Sequence, residues 1–269
     1  MEPDLRSFAR FDSPDNVRFF YDNLLDYAGV VLTPTSEVDT LPAENLKNEL
    51  RKRVWRTGTS TGTERLVIDL GSAQAVTAFI LLDHTLLNVD SGLLLEAHTS
   101  DSWGAPSFSQ ALTWADGTLA ATFASQTYRY WRLSFTKSVS SQSRDIGRIF
   151  LGTYAETEHA PDFAGHDETL EDPSRKAKTL GGQTWTDLQE KFHVIVNEMT
   201  HVSQTLADQI RTIAEAVGQS ISFFVQVDTS SPLNTVYYVK FRRAFGRSVV
   251  AVDSGLVWDL AKLEFEEQL

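Results

Sequence analysis

Residues 63–87 read TERLVIDLGSAQAVTAFILLDHTLL, two apolar runs parted by Asp69, Gly71 and Ser72. In the first run Leu66, Ile68 and Leu70 alternate with Val67 and Asp69, the period-two pattern of a half-buried strand. Gly71 suits a turn that needs positive φ. A nucleotide-binding loop would carry several glycines and then open a helix. Here the apolar run AVTAFILL follows at once. The stretch therefore predicts a hairpin, with the second run returning beside the first.

Similar text extends on both sides. GVVLTPT, GLLLEAHTS, YRYWRLSFT and IGRIFLG are short apolar or β-branched runs punctuated by Gly, Asp, Ser and Pro. Strands at this spacing, with little helical periodicity, predict a β-sandwich over residues 17–153. Residues 1–16 read as an N-terminal arm, with Leu5, Phe8 and Phe11 as its only large apolar anchors. Residues 154–178 are rich in acid, Pro, Gly and Thr, and predict a linker. From 179 the pattern changes. FHVIVNEMT, ISFFVQVD, TVYYVKFRRAF and the closing LVWDLAKLEFEEQ read as strands. Between the first two, Leu206, Ile210, Ile213, Ala214 and Val217 form one helical face over 203–217. Ser203 is placed to cap that helix and Gly218 to stop it. A second β-sandwich over 179–269, with one flanking helix, follows.

Composition narrows the function classes. The 269 residues carry a formal net charge of −12, which disfavours binding to phosphate backbones. The absence of cysteine removes disulfides, thiolate metal sites and cysteine nucleophiles. No apolar run reaches the ~18 residues of a membrane span. The polar start MEPDLRSFARFDSPDN does not resemble a secretory leader. The six histidines form no HExxH pattern, and no Gly-x-Ser-x-Gly elbow occurs. No catalytic residue, metal site or cofactor is expected, so the chain is read as a non-enzyme.

The ordered motifs WRTG, ERLVIDLGSAQAVTAFILL, YRYWRL and IGRIFLG resemble the discoidin, or galactose-binding-like, jelly-roll family over residues 17–153. That resemblance implies ligand binding at loops on one end of the sandwich. Trp103, flanked by Gly, Pro and Ser, together with His84, Asn88 and Arg144, are the candidate ligand residues. Trp55 and Trp131 read as core. Arg129 and Arg132 read as partnered by acids or backbone.

The second half, with GGQTW, a single helix, FFVQVD and an acidic last strand, resembles the tail-tube-like domain of bacteriophage distal tail and baseplate proteins. There the implied order of domains is reversed. The resemblance implies a virion component assembled in the host cytoplasm, whose second domain forms a ring homo-oligomer, hexameric in expectation, around a DNA channel. Its partners would be other copies and neighbouring tail proteins, with a host glycan as a further ligand of the first domain. DNA would pass without specific binding. Glu264, Glu266 and Glu267 are the candidate lumen or subunit-contact residues. The alternative reading is a carbohydrate-binding, lectin-like adhesin.

Overall fold

The computed structural model describes residues 16–59, 62–139, 142–162, 166–179, 181–227, 236–252 and 255–269. The arm anchors Leu5, Phe8 and Phe11 lie outside them. The chain forms, in order, β1 (Arg18–Phe20), β2 (Val31–Pro34), β3 (Trp55–Arg56), β4 (Gly62–His84), β5 (Ser91–His98), β6 (Phe108–Ala111), β7 (Gly117–Lys137), β8 (Asp145–Gly152) and β9 (Ala155–Glu156). Then come β10 (His166–Glu171), β11 (Arg175–Lys178), β12 (Thr184–Asp187), β13 (Phe192–Val202), α1 (Gln204–Val217), β14 (Phe223–Gln226), β15 (Val236–Phe241), β16 (Arg247–Val252) and β17 (Gly255–Glu267).

The opening stretch is not a hairpin. It is one continuous strand of 23 residues, β4, and its two apolar runs do not pair with each other. Both runs pair instead with β7, a strand of 21 residues that bends alongside. Gly71, at φ 76°, supplies the bend, and its N–H donates to the Asp69 carboxylate at 2.8 Å. The pairing register with β7 shifts between Asp69 and Gln74. The early half of β4 pairs with β2 and the late half with β8, so one sheet curls into two facing leaves. Leu66, Ile68, Phe79, Leu81, Trp55, Trp131, Leu133 and Phe135 fill the space between the leaves.

The late half of β4 is apolar on both faces for a further reason. Phe79 and Leu81 point into the sandwich, whereas Ala78, Ile80 and Leu82 point outward. The outward set, with Phe150 of β8, packs on Phe20, Phe224 and Tyr238 of the second sheet. That second sheet runs β10-β13-β17-β15-β14-β1-β9, with β16 on β17. It contains β1, which precedes the jelly-roll strands, and β9, which follows them. The jelly roll is thus carried between two adjacent strands of the second sheet. The segment 154–178, read as a linker, contributes β9, β10 and β11. Its polar composition matches strands whose side chains are mostly exposed.

α1 lies on the opposite face of this sheet. Leu206, Ile210, Ile213 and Val217 of the sequence stripe are buried on it; Ala214 is half-buried, and Ala207, outside the stripe, is buried as well. The Ser203 hydroxyl accepts from the Leu206 N–H at 3.1 Å, and Gly218 takes φ 54° at the other end. β11 and β12 pair only with each other, as a separate two-stranded sheet.

Candidate functional site

The loops before β5, between β6 and β7, and before β8 meet at one end of the jelly roll. The first and the last of them are anchored to each other by an ion pair. Arg144 donates to Asp90 through Nε at 2.7 Å and Nη2 at 3.0 Å, and its side chain is 2% exposed. Asp90 also accepts from the Leu87 N–H and from both the N–H and hydroxyl of Ser138, each at 3.0 Å. Burial alone would raise the Asp90 pKa, but the Arg144 hydrogen bonds and these N–H and hydroxyl donors outweigh it. The carboxyl is held well below its usual range. Arg144, a candidate ligand residue from sequence, therefore ties loops together, and its guanidinium charge is already matched.

His84 is buried as well. Its Nδ1 accepts from the Leu86 N–H at 3.2 Å, while Nε2 is buried without a hydrogen-bond partner. Burial pushes its pKa down, so the ring is neutral at physiological pH. Asn88 is exposed at the tip of the same loop.

Beside them lies a residue that the sequence reading passed over. The Trp114 Nε1–H donates to the Leu86 carbonyl at 2.9 Å, yet the ring remains 37% exposed. The hydrogen bond fixes the indole against the loop that carries His84 and Asn88. The available signal was the tryptophan in ALTWADG, directly before an Asp-Gly turn.

Trp103 is elsewhere. It follows the far end of β5, an eight-residue strand spanning roughly 26 Å. The Trp103 Nε1–H donates to Asp101 at 2.6 Å, and the Arg132 guanidinium lies 4.4 Å from its ring centroid. Arg132 also pairs with Glu96 at 2.7 Å, and Arg129 with Asp69 at 2.7 Å, in line with the sequence expectation for both arginines. The four candidate ligand residues thus divide into His84, Asn88 and Arg144 at one end, and Trp103 covering an ion pair at the other. Trp55 and Trp131 are fully buried, as expected.

The acidic residues of β17 occupy the middle of the second sheet, between β13 and β15. Glu264 pairs with Arg243 at 3.0 Å and Glu266 lies 3.9 Å from Arg242. Glu267 accepts from the His193 N–H at 3.0 Å and lies 3.7 Å from Arg51. Each carboxylate thus faces a cation, and the strand does not present a bare anionic strip. Among the described residues there is no group of three or more His, Asp or Glu side chains arranged to hold a metal. Nor is any helix among them long and apolar enough to cross a membrane.

No protein-family profile matches the chain, and no curated protein matches it. Solved structures do. A GH29 fucosidase of Ruminococcus gnavus in complex with fucose shares 12% identity at TM-score 0.42, over 51% of this chain and 28% of that one. This chain thus spans less than a third of the fucosidase. Chitosan-binding module 1 of a Paenibacillus chitosanase/glucanase shares 17% identity at TM-score 0.40, over 49% of this chain and 99% of the module. A fucose-binding module of Streptococcus pneumoniae shares 12% identity at TM-score 0.41, over 50% of this chain and 99% of the module. The tail-tip expectation draws no support from these comparisons. By its strand order and the curl of its sheet, the protein is mainly β: a sandwich built from one curled sheet, joined to a second β-sheet body with one flanking helix.

Proposed function

We propose that the chain is a non-catalytic glycan-binding protein whose binding surface is the jelly-roll end around Trp114 and Asn88. The observation that supports this reading is Trp114: an indole locked by its own N–H, with more than a third of its surface left open. A fixed aromatic face suits stacking on the C–H face of a sugar ring, because little side-chain entropy remains to be lost. Asn88 adds an exposed amide able both to donate to and accept from sugar hydroxyls. The Asp90–Arg144 pair holds the loops in place beneath. The test is titration calorimetry with galactosides, fucosides and glucosamine oligomers, with Trp114→Ala and Trp103→Ala compared. Saturable binding abolished by Trp114→Ala and retained by Trp103→Ala is the expected result. Binding to none of these sugars, or indifference to Trp114→Ala, rejects it.

A second reading, assembly of copies through the second body, is favoured by the β11–β12 hairpin. A two-stranded sheet is marginal alone in water. This one carries Trp185 at 62% exposure, with Leu188 just beyond it at 82%. The finer form of this reading is a phage tail-tip ring around a DNA channel, with the jelly roll displayed outside. Light scattering at high protein concentration tests it. A closed oligomer that dissociates on Trp185→Ser supports assembly, and a monomer throughout rejects it.

A further inference from the structure

Among the described residues β10 pairs with β13 alone and β11 with β12 alone. Between β10 and β11 the chain breaks its strand at Asp172, Pro173 and Ser174. The two ladders stay joined across the break, because the Gln189 N–H donates to Ser174 Oγ at 3.0 Å. The result is a long hairpin with β10 and β11 along one arm and β12 and β13 along the other. The outer side of the first arm carries backbone N–H and C=O groups with no strand beside them, the usual template for pairing with another chain. The arm is also exposed: every residue of β11 is open to solvent, as are Asp167, Glu168, Thr169 and Leu170 of β10.

The charge of this arm changes sign at its middle. Asp167, Glu168, Glu171 and Asp172 precede Pro173 with no Lys or Arg among them, and Arg175, Lys176 and Lys178 follow it with no carboxylate among them. The chain has 36 Asp and Glu against 24 Lys and Arg, so acids are in excess. Yet among the described residues Arg175, Lys176 and Lys178 enter no ion pair, and the cation beside Asp172 is Lys191, at 3.7 Å. The acids keep capacity too. Glu168 meets Tyr237 and His193 through Oε1, and Glu171 meets Arg242 through Oε1, which leaves the second oxygen of each carboxylate for another cation. Charges along an edge strand ordinarily block the addition of a further strand. A run of one sign would do so here. An edge that is acidic in its first half and basic in its second is instead complementary to its own copy running antiparallel.

We propose that two copies of the chain join edge to edge about a two-fold axis at Pro173, β10 of each pairing antiparallel with β11 of the other. Arg175 then lies opposite the partner's Glu171, and Lys178 opposite the partner's Glu168. Pro173, which has no N–H to give a ladder, sits at the crossing point. The β11–β12 ribbon, marginal as two strands, gains a third. The same patch serves both copies, so the contact closes at a dimer. The proposal rests on the reading that copies assemble through the second body, and supplies that assembly with a partner surface and a symmetry. The test uses the full-length chain and light scattering over a range of concentrations. The native chain is expected to form a dimer. Arg175→Glu with Lys178→Glu, at positions that make no ion pair within the chain, should weaken dimerisation roughly a hundredfold, because two-fold symmetry repeats each like-charge contact. Glu168→Lys with Glu171→Lys should do the same, its fold checked by a thermal melt. An equimolar mixture of the two variants should recover a dimer holding one of each, since every opposed pair is again of opposite sign. An oligomer indifferent to Arg175→Glu with Lys178→Glu overturns this contact and leaves assembly through the second body standing. Two folded variants that stay monomeric when mixed also overturn the contact. A native chain that is monomeric at every concentration overturns the contact and the assembly together.

Discussion

Arg144 and Asp90, 54 residues apart, form a two-point ion pair that is almost wholly shielded from solvent. Removing one partner leaves a buried charge unmatched, which typically costs about 3–5 kcal/mol. Arg144→Met is therefore expected to lower the melting temperature by many degrees, whereas Arg144→Met with Asp90→Leu recovers much of the loss. Calorimetry of the two variants checks this. The pH dependence has a defined sign. The Asp90 carboxyl is depressed on folding, so its contribution is present above the unfolded value near 4 and is lost as pH falls toward the folded value. The gap in melting temperature between the native chain and Asp90→Asn should narrow below about pH 4.

His84 gives a pH effect in a different window. Its pKa is lowered by burial, so the unfolded chain takes up a proton near pH 6.5 that the folded chain refuses. Stability should fall as pH drops below about 6.5. Replacement by a neutral side chain of similar size, His84→Gln, should flatten that part of the profile, as thermal melts from pH 7.5 to 5 would show.

The jelly roll and the second sheet share a dry interface in which Phe20 meets Phe150 edge-on at 5.6 Å, and Phe150 meets Phe224 at 6.1 Å. Phe224→Ala should cost about 3–5 kcal/mol, the usual range for a buried aromatic. Because β1 and β9, the strands that flank the first body in the chain, both belong to the second sheet, the native chain should unfold in a single calorimetric transition. Two separated transitions in the native chain would contradict this description of the interface.

Gly152, at the end of β8, has no room for a side chain. A Cβ there would run into the Asp22 carbonyl. The Asn23 side chain clamps the same place, donating to the Ile149 carbonyl at 2.9 Å and accepting from the Leu151 N–H at 3.1 Å. Gly152→Ala should cost about 1–3 kcal/mol through backbone displacement. Gly104→Ala, where the added carbon meets nothing within 4 Å, should be nearly neutral. Denaturant melts of the two variants provide the comparison.

Local pattern carried a good deal of this structure. The alternation of Leu66, Ile68 and Leu70, the apolar stripe from Leu206 to Val217, and the Ser203 and Gly218 helix ends all express short-range rules, and each appears in the fold. So does the burial of Trp55 and Trp131, and the pairing of Arg129 and Arg132 with nearby acids. What the sequence left undecided is where each run finds its partner. AVTAFILL is apolar on both faces because one face meets the sandwich interior and the other meets Phe224 and Tyr238, residues more than 140 positions away. A window of text shows such a run as apolar but not as shared between two cores, so a hairpin was the natural expectation. The candidate ligand residues divide for the same reason: burial of Arg144 against Asp90, and of Arg132 against Glu96 beneath Trp103, is set by loop closure across the sheet. The sequence by itself determined strand, helix and cap, because backbone propensity and side-chain period act over a few residues. The tertiary structure alone decided which aromatic stays open, because exposure depends on every element that packs around a side chain.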